Sequence, residues 1–128
     1  MIMYIINFQN LSPGSPFYSQ ASLQDLSLHD NIIKTIESSD TFSGLISLET
    51  LDLSGNKLSM FKADVDIFKG LTSLKVLDLS QNELSWIAPD VFSPLVSLTR
   101  LNLNGNKLRG KAILCQYTRR KYIIIKCG

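Results

Sequence analysis

The stretch Leu74-Lys75-Val76-Leu77-Asp78-Leu79-Ser80-Gln81-Asn82-Glu83-Leu84 sets leucines at its first, fourth, sixth and last positions and an asparagine at its ninth. Written as L-x-x-L-x-L-x-x-N-x-L, the pattern occurs three more times. It is met by Leu23, Leu26, Leu28, Asn31 and Ile33, then by Leu48, Leu51, Leu53, Asn56 and Leu58. The last copy is Leu98, Leu101, Leu103, Asn106 and Leu108. Successive starts are 25, 26 and 24 residues apart. Self-similarity at such a period marks a stack of short structural units, each leaning on the next.

The linking halves repeat as well. Ile36, Phe61 and Ile87 each follow three residues after the last motif position, and Phe42, Phe68 and Phe92 each stand six residues before the next copy. Leu45, Leu71 and Leu95 lie three further on. Phe17 and Leu11 occupy the same places one turn earlier, while Gln20 stands at a leucine position and Ile6 at the asparagine position. Residues 1–22 therefore read as a degenerate or truncated repeat, 23–108 as four full repeats and 109–128 as a basic tail outside the repeat pattern.

Around L-x-L the side chains alternate between apolar and polar, the period of a half-buried strand. Leu26 and Leu28 then point inward. The outward set is Asp25, Ser27 and His29; Thr50, Asp52 and Ser54; Val76, Asp78 and Ser80; and Arg100, Asn102 and Asn104. These residues are the candidate ligand-binding face. Adjacent strands bring Asp52 beside Asp78, and two like charges about 5 Å apart repel by roughly 1 kcal/mol in water, so the pair would either welcome a basic side chain or a cation or stand solvated. The asparagines fall where each strand ends. A carboxamide both donates and accepts, so Asn31, Asn56, Asn82 and Asn106 can form an internal ladder that satisfies the turning backbone. Trp86, beside Ile87, is the candidate for a contact at the edge.

One unit cannot fold alone, because ordering all its residues is repaid only by burial against neighbours. The totals allow a single folded domain: 128 residues, 45% hydrophobic and 19% charged. Net charge is +2, but its distribution is uneven. Residues 1–106 hold six basic and eleven acidic side chains, and residues 107–128 hold seven basic and none acidic. Arg119, Arg120, Lys121 and Lys126 are read as a solvated tail; without a stacking platform they are poor evidence for a nucleic-acid partner. Cys115 and Cys127 either bridge each other or stand as free thiols. The start of the chain lacks a basic n-region, and no apolar run reaches the roughly 20 residues a membrane helix needs. G-x-S-x-G, phosphate-loop and H-E-x-x-H patterns are absent, so no catalytic residue, metal ligand or cofactor is expected.

With these residues identified, the chain resembles the typical class of leucine-rich repeat in animal extracellular proteins. Phrases such as Leu51-Asp52-Leu53-Ser54-Gly55-Asn56 and Leu77-Asp78-Leu79-Ser80-Gln81-Asn82, with the phenylalanine-bearing return, are similar to those of Toll-like receptor ectodomains. That resemblance implies an α/β solenoid coiled as a right-handed superhelix, with a parallel sheet on its concave face and irregular or short helical convex segments. It also implies an extracellular or cell-surface setting and a non-catalytic role in innate immune recognition. The N-terminal region has no cysteine and the C-terminal pair lacks the closely spaced C-x-C of the usual cap. The expectation is thus a fragment, a truncated product or a divergent short relative.

The leading expectation is a module that holds a protein or pathogen-derived ligand on its concave face or edge, with nucleic acid disfavoured. The rival is a structural segment of a longer solenoid or adhesion protein, self-associating through uncapped ends.

Overall fold

The computed structural model describes Phe17, residues 20–109 and the backbone of three further strands, Ile2–Tyr4, Asn10–Leu11 and Ile124–Lys126. Cys115, Cys127 and most of residues 1–22 and 110–128 lie outside the described residues.

Each full repeat contributes one three-residue strand: β3 (Asp25–Ser27), β5 (Thr50–Asp52), β7 (Val76–Asp78) and β9 (Arg100–Asn102). With β1 (Ile2–Tyr4) and β10 (Ile124–Lys126) they form one parallel sheet in the order β1-β3-β5-β7-β9-β10. The register is unbroken, with Leu26, Leu51, Leu77 and Leu101 side by side. The central residue of each strand is buried and its neighbours are not, as the alternation requires. The strands stop one residue before the third leucine of each motif. Leu28, Leu53 and Leu79 are fully buried there, while their amides still reach the next repeat, Leu28 N donating to Asp52 O at 2.8 Å.

The return is a run of turns, and no helix occurs among the described residues. Its three-residue spacing explains why. Leu45 N donates to Phe42 O and Leu48 N to Leu45 O at 3.1 and 3.2 Å, so two successive i→i−3 turns carry Phe42, Leu45 and Leu48 inward together. The other repeats do the same through Phe68, Leu71 and Leu74 and through Phe92, Leu95 and Leu98.

Stacking these turns aligns the rings into a spine. Phe17 and Phe42 lie 6.1 Å apart and nearly parallel, Phe42 and Phe68 6.5 Å, and Phe68 and Phe92 5.7 Å. Phe61 meets Phe68 edge-on at 5.7 Å. These are favourable aromatic separations, adding to the area each ring buries.

A second ladder runs through the asparagines. Asn56 Nδ2 donates to Leu28 O of the preceding repeat and Leu53 O of its own, at 2.9 and 3.0 Å. Its Oδ1 accepts from Ile33 N of the preceding repeat at 3.1 Å. Asn82 repeats the pattern with Leu53 O, Leu79 O and Leu58 N, and Asn106 with Leu79 O, Leu103 O and Leu84 N. Asn31 holds Leu28 O of its own repeat at 2.9 Å.

Two further couplings were not foreseen. In the third and fourth repeats the serine before the first leucine points back one turn: Ser73 Oγ donates to Ile46 O and Ser97 Oγ to Thr72 O. On the convex side, β2 (Asn10–Leu11) pairs with β4 (Thr35–Ile36) and β6 (Met60–Phe61) with β8 (Trp86–Ile87), but β4 and β6 belong to separate pairs. The longest of the three spacings, 26 residues, lies between β6 and β8, and these two strands still pair.

Two substitutions test this division of labour by urea denaturation. Phe68→Ala removes the ring touching Phe42, Phe61 and Phe92 and is expected to cost about 3–5 kcal/mol. Asn82→Ala leaves the buried Leu58 N without a partner and removes one of the two carboxamide donors from each of Leu53 O and Leu79 O, and is expected to cost about 2–3 kcal/mol. A loss below about 1 kcal/mol for Asn82→Ala would show that water replaces the amide.

Candidate ligand-binding surface

The sheet brings the outward residues into continuous rows, because neighbouring strands are in register. One row is Asp25, Thr50, Val76 and Arg100; the next is Ser27, Asp52, Asp78 and Asn102. Asp25, Asp52 and Asp78 are part-exposed and Arg100 is exposed. His29, Ser54, Ser80 and Asn104 lie past the strand ends, where the chain turns inward to insert the asparagine. His29 Nδ1 lies 3.1 Å from the carboxylate of Asp30.

Part of the second row's polarity is spent internally. Asp52 Oδ1 accepts from Ser54 N and Ser54 Oγ at 2.9 and 2.5 Å. Asp78 holds Ser80 in the same way at 2.9 and 2.6 Å. Asn102 Oδ1 accepts from Asn104 N at 3.0 Å. A carboxylate or carboxamide serves equally as the acceptor that shapes this turn. In Asp52 and Asp78 the second oxygen, Oδ2, has no protein donor among the described residues, so each keeps one acceptor facing outward. Ser27 Oγ is buried and without a hydrogen-bond partner among the described residues.

The flank just past the asparagines differs in charge. The residues one and three places after each ladder asparagine are all exposed or part-exposed, and among them stand Lys34, Lys57, Lys107 and Arg109 against Glu83 alone. The described residues show ion pairs only at His29–Asp30 and Glu49–Lys75, so these four cations are uncompensated by a direct partner there. Ile32, Met60 and Trp86 lie along the same side at 40%, 48% and 45% exposure, Met60 beside Trp86 in the β6–β8 register. Trp86 was singled out from the sequence. Met60 was not, because only the outer register shows which residue stands beside the tryptophan. A groove of about 260 Å³ opens beside Met60 between β4 and β6, lined by Lys34, Glu37, Ser59 and Lys62 among others.

A family model described as leucine rich repeat matches residues 7–58 and 59–108. The chain belongs to the leucine-rich repeat family. Among solved structures it is similar to the receptor chain in "Crystal structure of TLR13-ssRNA13 complex", with 31% identity and a TM-score of 0.85. The match covers 95% of this chain and 17% of that chain. This leucine-rich repeat chain thus resembles a fragment of a Toll-like receptor ectodomain. No curated protein matches it by sequence. Among the described residues no helix is long and apolar enough to cross a membrane, and no cluster of three or more metal-ligating side chains occurs.

The turn that closes this face imposes a backbone constraint. Gly55 and Gly105 adopt φ of 66° and 71°, while Asp30 and Gln81 hold the same left-handed place at 54°. A Cβ on Gly55 would also run into the Asp30 carboxylate. Gly55→Ala is therefore expected to destabilise the chain by about 1–3 kcal/mol. Gln81→Gly, which removes the left-handed penalty, is expected to raise stability by about 0.5 kcal/mol. Thermal or urea melts of the two variants check the opposite signs.

Proposed function

We infer that this chain is a non-catalytic, ligand-holding module of an innate immune receptor ectodomain at the cell surface, and that its ligand is a protein with basic side chains. The observation that carries the reading is the unbroken register of the concave sheet. It sets Asp52 directly beside Asp78 in one row, with Asp25 on the strand before them in the other row, three carboxylates on successive strands of a rigid face. Rigidity matters because a preformed surface need not spend binding energy on ordering itself. The single-stranded RNA of the neighbouring structure is a ligand of that receptor. Here the carboxylates of the concave face oppose a phosphate backbone, so a polyanion is disfavoured on it. The matched region is 17% of the neighbour's chain, and nothing in the leucine-rich repeats carries a signal onward.

The same coverage supports a second reading, that the chain is a segment of a longer solenoid or adhesion protein with no ligand site of its own. Size-exclusion chromatography separates the two: a monomer supports the ligand module, and concentration-dependent oligomers support a segment with uncapped ends.

Binding is tested by titrating the chain against basic proteins, microbial products and single-stranded RNA. Saturable binding of a basic protein, weakening with added salt, is expected. Asp78→Asn keeps the acceptor for Ser80, as Asn102 does for Asn104, but removes the charge. It should weaken binding by about 1–2 kcal/mol, roughly five- to thirtyfold. Equal binding by wild type and variant would move the site off this face, and RNA binding unaffected by Asp78→Asn would overturn the choice of ligand.

A further inference from the structure

The carboxamides of the ladder are buried or half-buried and held by two or more backbone groups each. Asn104 is different. Its side chain is exposed, its carboxamide has no hydrogen-bond partner among the described residues, and its backbone amide is the group that Asn102 Oδ1 holds. It also precedes Gly105. In the other repeats the same pair is His29-Asp30, Ser54-Gly55 and Ser80-Gln81, so only the fourth repeat joins an asparagine to a glycine at this turn.

We propose that Asn104–Gly105 is a site of spontaneous deamidation, converting a neutral residue of the concave face into a carboxylate. The Gly105 nitrogen, having lost its proton to hydroxide, attacks Asn104 Cγ. A C–N bond forms, ammonia leaves with the former amide nitrogen, and a five-membered succinimide closes. Water then opens the ring at one of its two carbonyls, giving aspartate or isoaspartate. Glycine favours the step because no Cβ obstructs the approach of its nitrogen. Hydroxide and water are the only co-reactants.

The two products differ in what they do to the fold. Aspartate leaves the main chain intact and adds a negative charge to the surface. Isoaspartate routes the main chain through Cβ and Cγ, lengthening it by one atom and turning the former main-chain carbonyl into the side-chain carboxylate. That carbonyl accepts from Gln81 N at 2.8 Å, one of the bonds tying the third repeat to the fourth. Isoaspartate therefore loosens the junction between them. The proposal does not depend on which ligand the face holds.

The whole chain, folded and incubated at mildly alkaline pH over days to weeks, provides the test. Trypsin cuts after Arg100 and Lys107, releasing one peptide, Leu101–Lys107, with three asparagines. Mass spectrometry should find a gain of one mass unit at Asn104, at least several-fold faster than at Asn102 or Asn106, with aspartate and isoaspartate both present. Asn104→Ser, which copies Ser54 and Ser80, should abolish the gain. Conversion at Asn104 no faster than at its two neighbours, or a gain that persists in Asn104→Ser, would overturn the assignment. Hydrogen exchange at Gln81 N should quicken in the isoaspartate fraction, and unchanged protection would overturn the structural consequence.

Discussion

The interaction on which the rest depends is the hydrogen bonding of Asn56, Asn82 and Asn106 across the junction between repeats. At the end of each short strand the chain must turn into the core, which strips backbone carbonyls and amides of both water and strand partners. An unpaired buried backbone group costs about 1–3 kcal/mol, so the turn is tolerable only if something polar enters with it. The carboxamide supplies two donors and an acceptor in one compact group. Because it reaches both its own repeat and the one before, satisfying the turn also fixes the relative position of two repeats.

That fixing explains the rest of the packing. Once successive turns are superimposed, the leucines meet across the sheet and the phenylalanines meet across the return, with near-parallel rings from Phe17 to Phe92. Polar ladder and aromatic spine act on opposite sides of one core: the ladder sets the spacing, and the spine fills the volume that the spacing leaves. Between β4 and β6 the outer pairing is interrupted and a groove opens beside Met60. The inner sheet keeps its register there, because the asparagine bonds do not depend on the length of the return.

Function rests on what this scaffold leaves unspent. Asp52 and Asp78 each commit one oxygen to a serine and keep the other outward. The turn-forming role and the proposed ligand-facing role thus meet in one side chain. Cations are gathered instead on the flank past the asparagines, beside Trp86 and Met60. An acidic concave face and a basic flank separate on a body of this size because each repeat contributes one residue to each row, and small sequence differences accumulate along a row.

The sequence by itself determined the periodic elements: four repeats, a parallel sheet, the outward rows and the positions of the asparagines. Each follows from a local rule, since Leu-x-Leu alternation and the recurrence of Asn31, Asn56, Asn82 and Asn106 need no knowledge of distant contacts. Tertiary structure alone decided the serine couplings at Ser73 and Ser97, the pairing of Met60 with Trp86 and the gap between β4 and β6. It also decided which side chains remain free, as Asn104 does and Asn106 does not, although only Gly105 stands between them. Those outcomes depend on which atoms a neighbouring turn brings within hydrogen-bonding reach, and a periodic pattern records the spacing of the turns but not the contacts their superposition creates.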